Sequence, residues 1–335
     1  MTDDPTSKPF GSVFAPRMAM CRFLDGAWQP WTMQDTAPIP MHPAAHVFHY
    51  ASCCFEGLKA YRWESGDIRL FRMDRNVARM RQSAELLQLP VPETDSLADM
   101  IRGTVLENAT AIPDAPGSLY LRPTLIGTEP NIGKAAGGSG EALLYILASP
   151  VGDYFKGGIR PLKVLIDDEN PRSTPEFGMA KAGANYAQAL RTITSAKQEL
   201  GADQVLFAPD DDVQETGAAN FLMIKDGEVI TRDLDGAFLH GVTRDSILTI
   251  ARDLGYTVNE RRFGVQELMD FTTGGEAGLT GTAAVFAPIG ELLYKGKTHL
   301  VGDGGVGPDV TRLRQALVDL QSGHGEDTHG WLTAP

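Results

Sequence analysis

The sequence predicts a mixed α+β protein built from two α/β domains. Three observations predict it. The chain has 335 residues, 42% apolar and 22% charged, enough for two cores of ordinary size. Strand-like and helix-like stretches follow one another without a regular βαβ rhythm, which argues against a doubly wound sheet. Between the two mixed halves, "SPVGDYFKGGIRP" (149–161) breaks the pattern with Pro and Gly. This places a smaller N-terminal domain at 1–153, a linker at 154–160 and a larger C-terminal domain at 161–335.

Each element has its own signal. "IRLFRM" (68–73) reads as a strand, and Asp74 is a good N-cap for a helix to about Leu87. Val77, Met80, Ala84 and Leu87 form the apolar stripe of that helix. A second helix is expected over 96–109. "GSLYLRPTLIG" and "ALLYILASPVG" read as strands joined by the Gly-rich loop "GKAAGGSG". "PLKVLI" opens the second half as a strand, followed by a loop rich in Asp, Pro and Ser. A helix is expected from about Tyr186 to Leu200, then the strand "DQVLFA". "NFLMIKDGEVIT" (220–231) is a hairpin with Asp226-Gly227 as its turn. "VTRDSILTIARDLGY" reads as a helix, "GLTGTAAVFAPIGEL" as strand broken by a tight turn, and 310–321 as a final helix.

Composition excludes several classes of function. A net charge of −13 argues against nucleic acid as a partner. The acidic start "MTDDPTSKPF" lacks the apolar core of a signal peptide. The run "ALLYILA" is far too short to span a bilayer, so no membrane role is expected. Cys21, Cys53 and Cys54 form no CxxC pair, hence neither a disulfide framework nor a zinc site, and a reducing cytoplasm is the expected home. Cys53 and Cys54 read as buried small hydrophobes, since no local His/Asp arrangement activates a thiol.

One lysine stands out. In "FGMAKAGANYAQAL" (177–190), Lys181 has no charged residue within its window. It is either a lysine reaching solvent or a reactive amine, because an apolar wall disfavours the ammonium form. Such an amine forms a Schiff base with an aldehyde. A phosphate-bearing aldehyde would need backbone N–H groups at a helix start. "LHGVTRDS" (239–246) offers them, with Gly241 allowing a tight turn and the Thr243 hydroxyl adding a donor. "LTGTAAV" (279–285) offers a second turn with Thr280, Gly281 and Thr282. Each is also readable as an ordinary cap or turn. Glu215, in "VQETGAANF", is either a surface carboxylate or the partner of a protonated pyridine nitrogen. Arg79 is either a solvated helix residue, like Arg75 and Arg81, or a phosphate contact. Tyr120 and Arg122 share one strand face, as a surface pair or a carboxylate receptor. Tyr50 and Phe55 are core residues or pocket lining.

The order of these signals carries more than any one of them. "HYASCCFEGLKAYR", "LFRMDRNVARMRQSA", "LYLRPTLIGTEPNIG", "SPVGDYF", "KAGANYAQAL", "ETGAANFL", "LHGVTR" and "GTAAVFAP" run in series. Over residues 20–330 the chain resembles the branched-chain amino acid aminotransferases, class IV pyridoxal-phosphate enzymes of the D-amino-acid-aminotransferase-like fold (fold type IV). The resemblance implies transfer of an amino group between L-Leu, L-Ile or L-Val and 2-oxoglutarate, through a Schiff base of Lys181 with pyridoxal 5'-phosphate. It implies that Tyr186 bonds the ring oxygen of that cofactor and Glu215 pairs with its pyridine nitrogen. Arg79, Val242, Thr243 and Thr282 would hold the phosphate, with Leu239 under the ring and Thr216, Gly241 and Gly281 completing the set. Tyr50, Phe55, Tyr120, Arg122, Tyr154 and Ala283 would border the substrate. It also implies a homodimer, with active sites at the domain junction near the subunit interface. The chain departs from the family pattern in Ala184, where Gly is frequent, in His240, where Pro is usual, and in lacking the CxxC of some animal relatives. Other class IV enzymes remain as alternatives: a D-amino-acid or (R)-amine transaminase, or an aminodeoxychorismate lyase. So does a non-catalytic pyridoxal-phosphate carrier. "LYLRPTLIGTEP" favours the branched-chain enzymes.

Overall fold

The computed structural model of the protein describes residues 5–155 and 158–335. Of the expected linker 154–160, residues 156 and 157 lie outside the described residues. The chain divides into two compact units. The first runs to residue 154 and takes in 180–184 and 320–335; the second comprises 155–179 and 185–319. The expected domain 161–335 is therefore not continuous. Two of its segments belong to the first unit because their backbones are bonded there: Ala182 bridges Cys54, and strand Leu332–Thr333 pairs with Ile68–Phe71.

The first unit is an antiparallel sheet of nine strands among the described residues. At its centre Ser118–Gly127 and Ala142–Val151 pair in register from end to end. Both are buried along almost their whole length, which explains why they read as continuous apolar runs rather than alternating ones. Arg17–Leu24 flanks one side and Leu58–Arg62 the other. Helix Thr94–Glu107 lays Leu97, Met100, Ile101, Thr104 and Val105 on the sheet, the spacing of one helical face. Helix Met73–Leu86 follows strand Ile68–Phe71, but its N-cap is Arg72 rather than the expected Asp74. Arg72 adopts φ 49°, its N–H donates to Trp331 O at 2.8 Å, and its guanidinium covers the Trp331 ring at 4.6 Å. A partner from the far end of the chain thus overrides the local capping preference. Asp74 lies in the first turn, where its charge still suits the helix dipole.

The second unit holds a mixed sheet of eight strands among the described residues. Leu162–Asp167 runs parallel to Gln204–Phe207 and to Val285–Tyr294. Glu276–Gly281 and Asn220–Lys225 continue the sheet antiparallel. The hairpin Asn220–Lys225/Glu228–Thr231 turns at Asp226 (φ 51°) and Gly227 (φ 79°), the two positive angles a type I′ turn requires. Helix Gly183–Leu200 starts three residues before the expected Tyr186. Helices Val242–Asp253 and Val265–Thr272 pack on the sheet, and Phe221, Met223, Leu268, Leu279 and Ile289 lie in the core. No helix among the described residues is long and apolar enough to cross a membrane.

Candidate active site

In the first unit, helix Met73–Leu86 buries a polar face beside its apolar one. Asn76, Arg79 and Ser83 stand at i, i+3 and i+7, and all three are buried. Asn76 and Arg79 meet Glu56. Arg79 Nε donates to Glu56 Oε1 at 2.7 Å and Nη2 to Oε2 at 2.9 Å. Asn76 Nδ2 and the Gly57 N–H add donors at 2.7 and 3.1 Å. Ser83 Oγ accepts the Lys181 N–H at 3.0 Å, and the Lys181 carbonyl accepts the Phe55 N–H at 3.0 Å. Both backbone groups of Lys181 are thus fixed, and its Nζ lies 5.1 Å from the centre of the Phe55 ring.

Lys181 is not remote from charge, as its sequence window suggests. The buried Glu56–Arg79 pair comes from elements over a hundred residues earlier in the chain. Burial alone would raise the Glu56 carboxyl. The Arg79 charge and hydrogen bond, the Lys181 charge and the Asn76 amide outweigh it and hold the carboxyl below its usual range. Removing one partner of such a pair strands the other charge in the core. Glu56→Leu is therefore expected to cost about 3–5 kcal/mol of stability, with part recovered in Glu56→Leu/Arg79→Met. Urea unfolding of the wild type and both variants measures this, and a single-variant loss below about 1 kcal/mol contradicts the argument.

Of the expected substrate residues of this unit, Phe55 and Tyr120 contact Arg122. Its guanidinium lies 4.6 Å from the Phe55 ring centre, and Nη2 donates to the Tyr120 hydroxyl at 2.8 Å. Arg122 Nε is buried and meets no hydrogen-bond partner among the described residues. Tyr50 donates to the Ile132 carbonyl. Tyr154 is 46% exposed and packs on Phe10. Burial raises the Cys53 and Cys54 thiols; Cys54 is a buried small hydrophobe as expected, whereas Cys53 is only half-buried.

In the second unit, Glu215 is not a surface carboxylate: it is 2% exposed. Its Oε1 accepts Arg172 Nη1 at 2.6 Å and the Leu239 N–H at 3.1 Å, and its Oε2 accepts Asn220 Nδ2 at 3.2 Å. Asn220 also donates to Leu239 O at 2.9 Å, so Glu215 and Asn220 together fix the segment that leads into helix Val242–Asp253. Gly241, its N-cap, has φ −71°, an angle any residue adopts. The expected tight turn is not the reason for this glycine. A Cβ there would overlap Asn220 Oδ1. The helix has no side-chain cap, and Val242 and Thr243 supply its first N–H groups. His240, unassigned from sequence, bonds Asp235 O at 2.9 Å through Nε2. The Thr216 hydroxyl donates to Ala219 O and accepts the Ala219 N–H, so it closes its own turn.

Gly281 ends strand Glu276–Gly281. Thr282 and Ala283 sit in the turn that follows, which Val285 leaves at φ 64°. A β-branched residue in that region costs about 1–3 kcal/mol, which the buried surroundings of Val285 must sustain. Tyr186, on helix Gly183–Leu200, has the Arg172 guanidinium 5.4 Å from its ring centre. A cleft of about 520 Å³ lined by Ile224, Glu276, Val301 and Asp309 contains none of these residues. Glu276 there caps helix Pro308–Ser322 through the Asp309 and Val310 N–H groups.

Sequence reasoning missed Glu56, Arg172, Asn76, Ser83 and Asn220. The i, i+3, i+7 spacing of polar residues on an amphipathic helix was a usable sign for two of them. Arg172, in a Pro- and Ser-rich loop, carried none.

A family model, amino-transferase class IV, matches residues 53–292. The chain is 35% identical to branched-chain-amino-acid aminotransferase 2 of Bacillus subtilis, over 98% of this chain and 93% of that one. It resembles the crystal structure of the branched-chain amino acid aminotransferase of Escherichia coli with a TM-score of 0.79 at 26% identity, covering 95% of this chain and 98% of that one. The branched-chain aminotransferase of the thermophilic archaeon Thermoproteus uzoniensis, solved with norvaline, matches with a TM-score of 0.77 at 25% identity, covering 94% and 99%.

Proposed function

The chain belongs to the class IV amino-transferases, and from that premise we propose that it is a pyridoxal-phosphate-dependent branched-chain amino acid aminotransferase. It moves an amino group between L-leucine, L-isoleucine or L-valine and 2-oxoglutarate. The observation that carries the reading is similarity to branched-chain enzymes over nearly the full chain, in a protein whose Lys181 is pinned at both backbone groups.

The donor chemistry fits the cofactor. Within the second unit, buried Glu215 suits a pyridine N–H, and an uncapped helix start beside Gly241 suits a phosphate. When bound, pyridoxal phosphate supplies a ring that accepts the charge left on the substrate's α-carbon. The chain's residues do the rest. Lys181 Nζ is the amine for the aldehyde and then carries the α-proton. Glu215 keeps the ring nitrogen protonated, and the Tyr186 hydroxyl meets the ring oxygen. Val242, Thr243, Thr282 and Arg79 bind phosphate; Leu239 supports the ring, with Gly281 and Ala283 at the neighbouring turn. Phe55, Tyr50 and Tyr154 form an apolar wall for the branched side chain, and Arg122 with Tyr120 meets a carboxylate. Because one site serves both substrates in turn, the kinetics are ping-pong.

A homodimer in a reducing cytoplasm completes the proposal. The homodimer rests on the family resemblance, and three cysteines without a disulfide support the reducing compartment. The reconstituted protein is expected to show a Schiff-base absorbance band that L-leucine shifts and D-alanine does not. A response to D-alanine alone would favour a D-amino-acid transaminase, and no band at all would contradict the cofactor assignment.

A further inference from the structure

We propose that Arg172 is a positioning residue for this chemistry: its guanidinium, held between the Glu215 carboxylate and the Tyr186 ring, keeps Glu215 ionised and in place. The proposal rests on the reading of Glu215 as the partner of the cofactor's pyridine nitrogen.

Arg172 is 2% exposed, among the most buried large side chains of the protein. Nη1 lies 2.6 Å from Glu215 Oε1, and Nε donates to Gly217 O at 3.3 Å. One planar group therefore grips both the side chain of residue 215 and the backbone two residues on. That is a two-point hold a lysine cannot reproduce with one ammonium. The Tyr186 ring covers the same guanidinium at 5.4 Å. A single buried cation thus contacts the two polar side chains, Glu215 and Tyr186, assigned to the cofactor ring in this unit.

The consequence follows from relative basicity. A proton shared between a carboxylate and a pyridine nitrogen goes to the more basic of the two. A fixed positive charge and a charge-assisted hydrogen bond on Glu215 make its carboxylate the weaker base. The proton then stays on the ring, where it is needed for the ring to take up charge. The Leu239 N–H and the Asn220 amide act in the same direction, but neither carries a formal charge.

The test loads wild type, Arg172→Gln, Arg172→Lys and Glu215→Gln with ¹⁵N-labelled pyridoxal phosphate. The ring-nitrogen chemical shift is followed with pH, beside kcat and KM. In wild type the nitrogen is expected to be protonated at neutral pH. In Glu215→Gln and Arg172→Gln the resonance is expected to move toward the unprotonated position. For Arg172→Gln, kcat should fall about 10- to 100-fold with KM for leucine little changed. Arg172→Lys replaces the guanidinium with an ammonium that titrates in the alkaline range, so its ring nitrogen should lose the proton in an alkaline step absent from wild type. This variant decides the matter should Arg172→Gln fail to fold. An Arg172→Gln resonance at the protonated position, or an Arg172→Lys titration that superimposes on wild type, overturns the role of Arg172 while Glu215→Gln still moves. If Glu215→Gln does not move, the pyridine reading of Glu215 fails and this proposal with it.

Discussion

Lys181→Ala is expected to abolish transamination while leaving a folded protein that still takes up pyridoxal phosphate. Two contacts that hold residue 181 are made by its backbone, to Ser83 Oγ and the Phe55 N–H, and alanine keeps both. What disappears is Nζ beside the Phe55 ring. Proton transfer by a positioned side chain alone contributes about 10²–10⁴-fold, and the covalent attachment is lost as well. The measurement is the rate with L-leucine and 2-oxoglutarate, with cofactor binding followed separately. Turnover at the wild-type rate would remove Lys181 from the chemistry.

Arg122→Met is expected to separate the two half-reactions. A site that serves leucine and glutamate in turn must accept an apolar chain and a carboxylate. Burying a lone carboxylate is very costly, so a donor has to meet it. Arg122 is suited to that task. It is stacked on Phe55, bonded to the Tyr120 hydroxyl, and holds a buried Nε with no hydrogen-bond partner among the described residues. Truncating one partner of a buried charge pair costs about 2–5 kcal/mol, or roughly 30- to several-thousand-fold. That loss should fall on kcat/KM for glutamate and 2-oxoglutarate, with leucine and its oxo acid affected less than about tenfold through lost packing against Phe55. Equal losses in both half-reactions would instead assign Arg122 to the α-carboxylate or to the fold.

Local patterns in the chain reach as far as the physics they record. The Asp226-Gly227 turn is legible because two positive φ angles demand those residue types. The helix over 94–107 is legible because its buried face repeats with the helical period. Arg79, by contrast, lies between Val77 and Met80 and reads equally well as solvated or buried. Its burial depends on Glu56, 23 residues away.

By itself the sequence determined the elements, the motif series and the residue types offered for chemistry at Lys181, Glu215 and the Val242–Thr243 helix start. Only the tertiary structure decided how charge is arranged around them. Arg172 and Glu215 are 43 residues apart. Arg72 is bonded to Trp331 across most of the chain. Gly241 is a glycine because Asn220 fills the space of a Cβ. Propensity and periodicity act over a few residues, whereas desolvation and ion pairing act between whatever the fold brings within a few ångströms, whatever the separation along the chain.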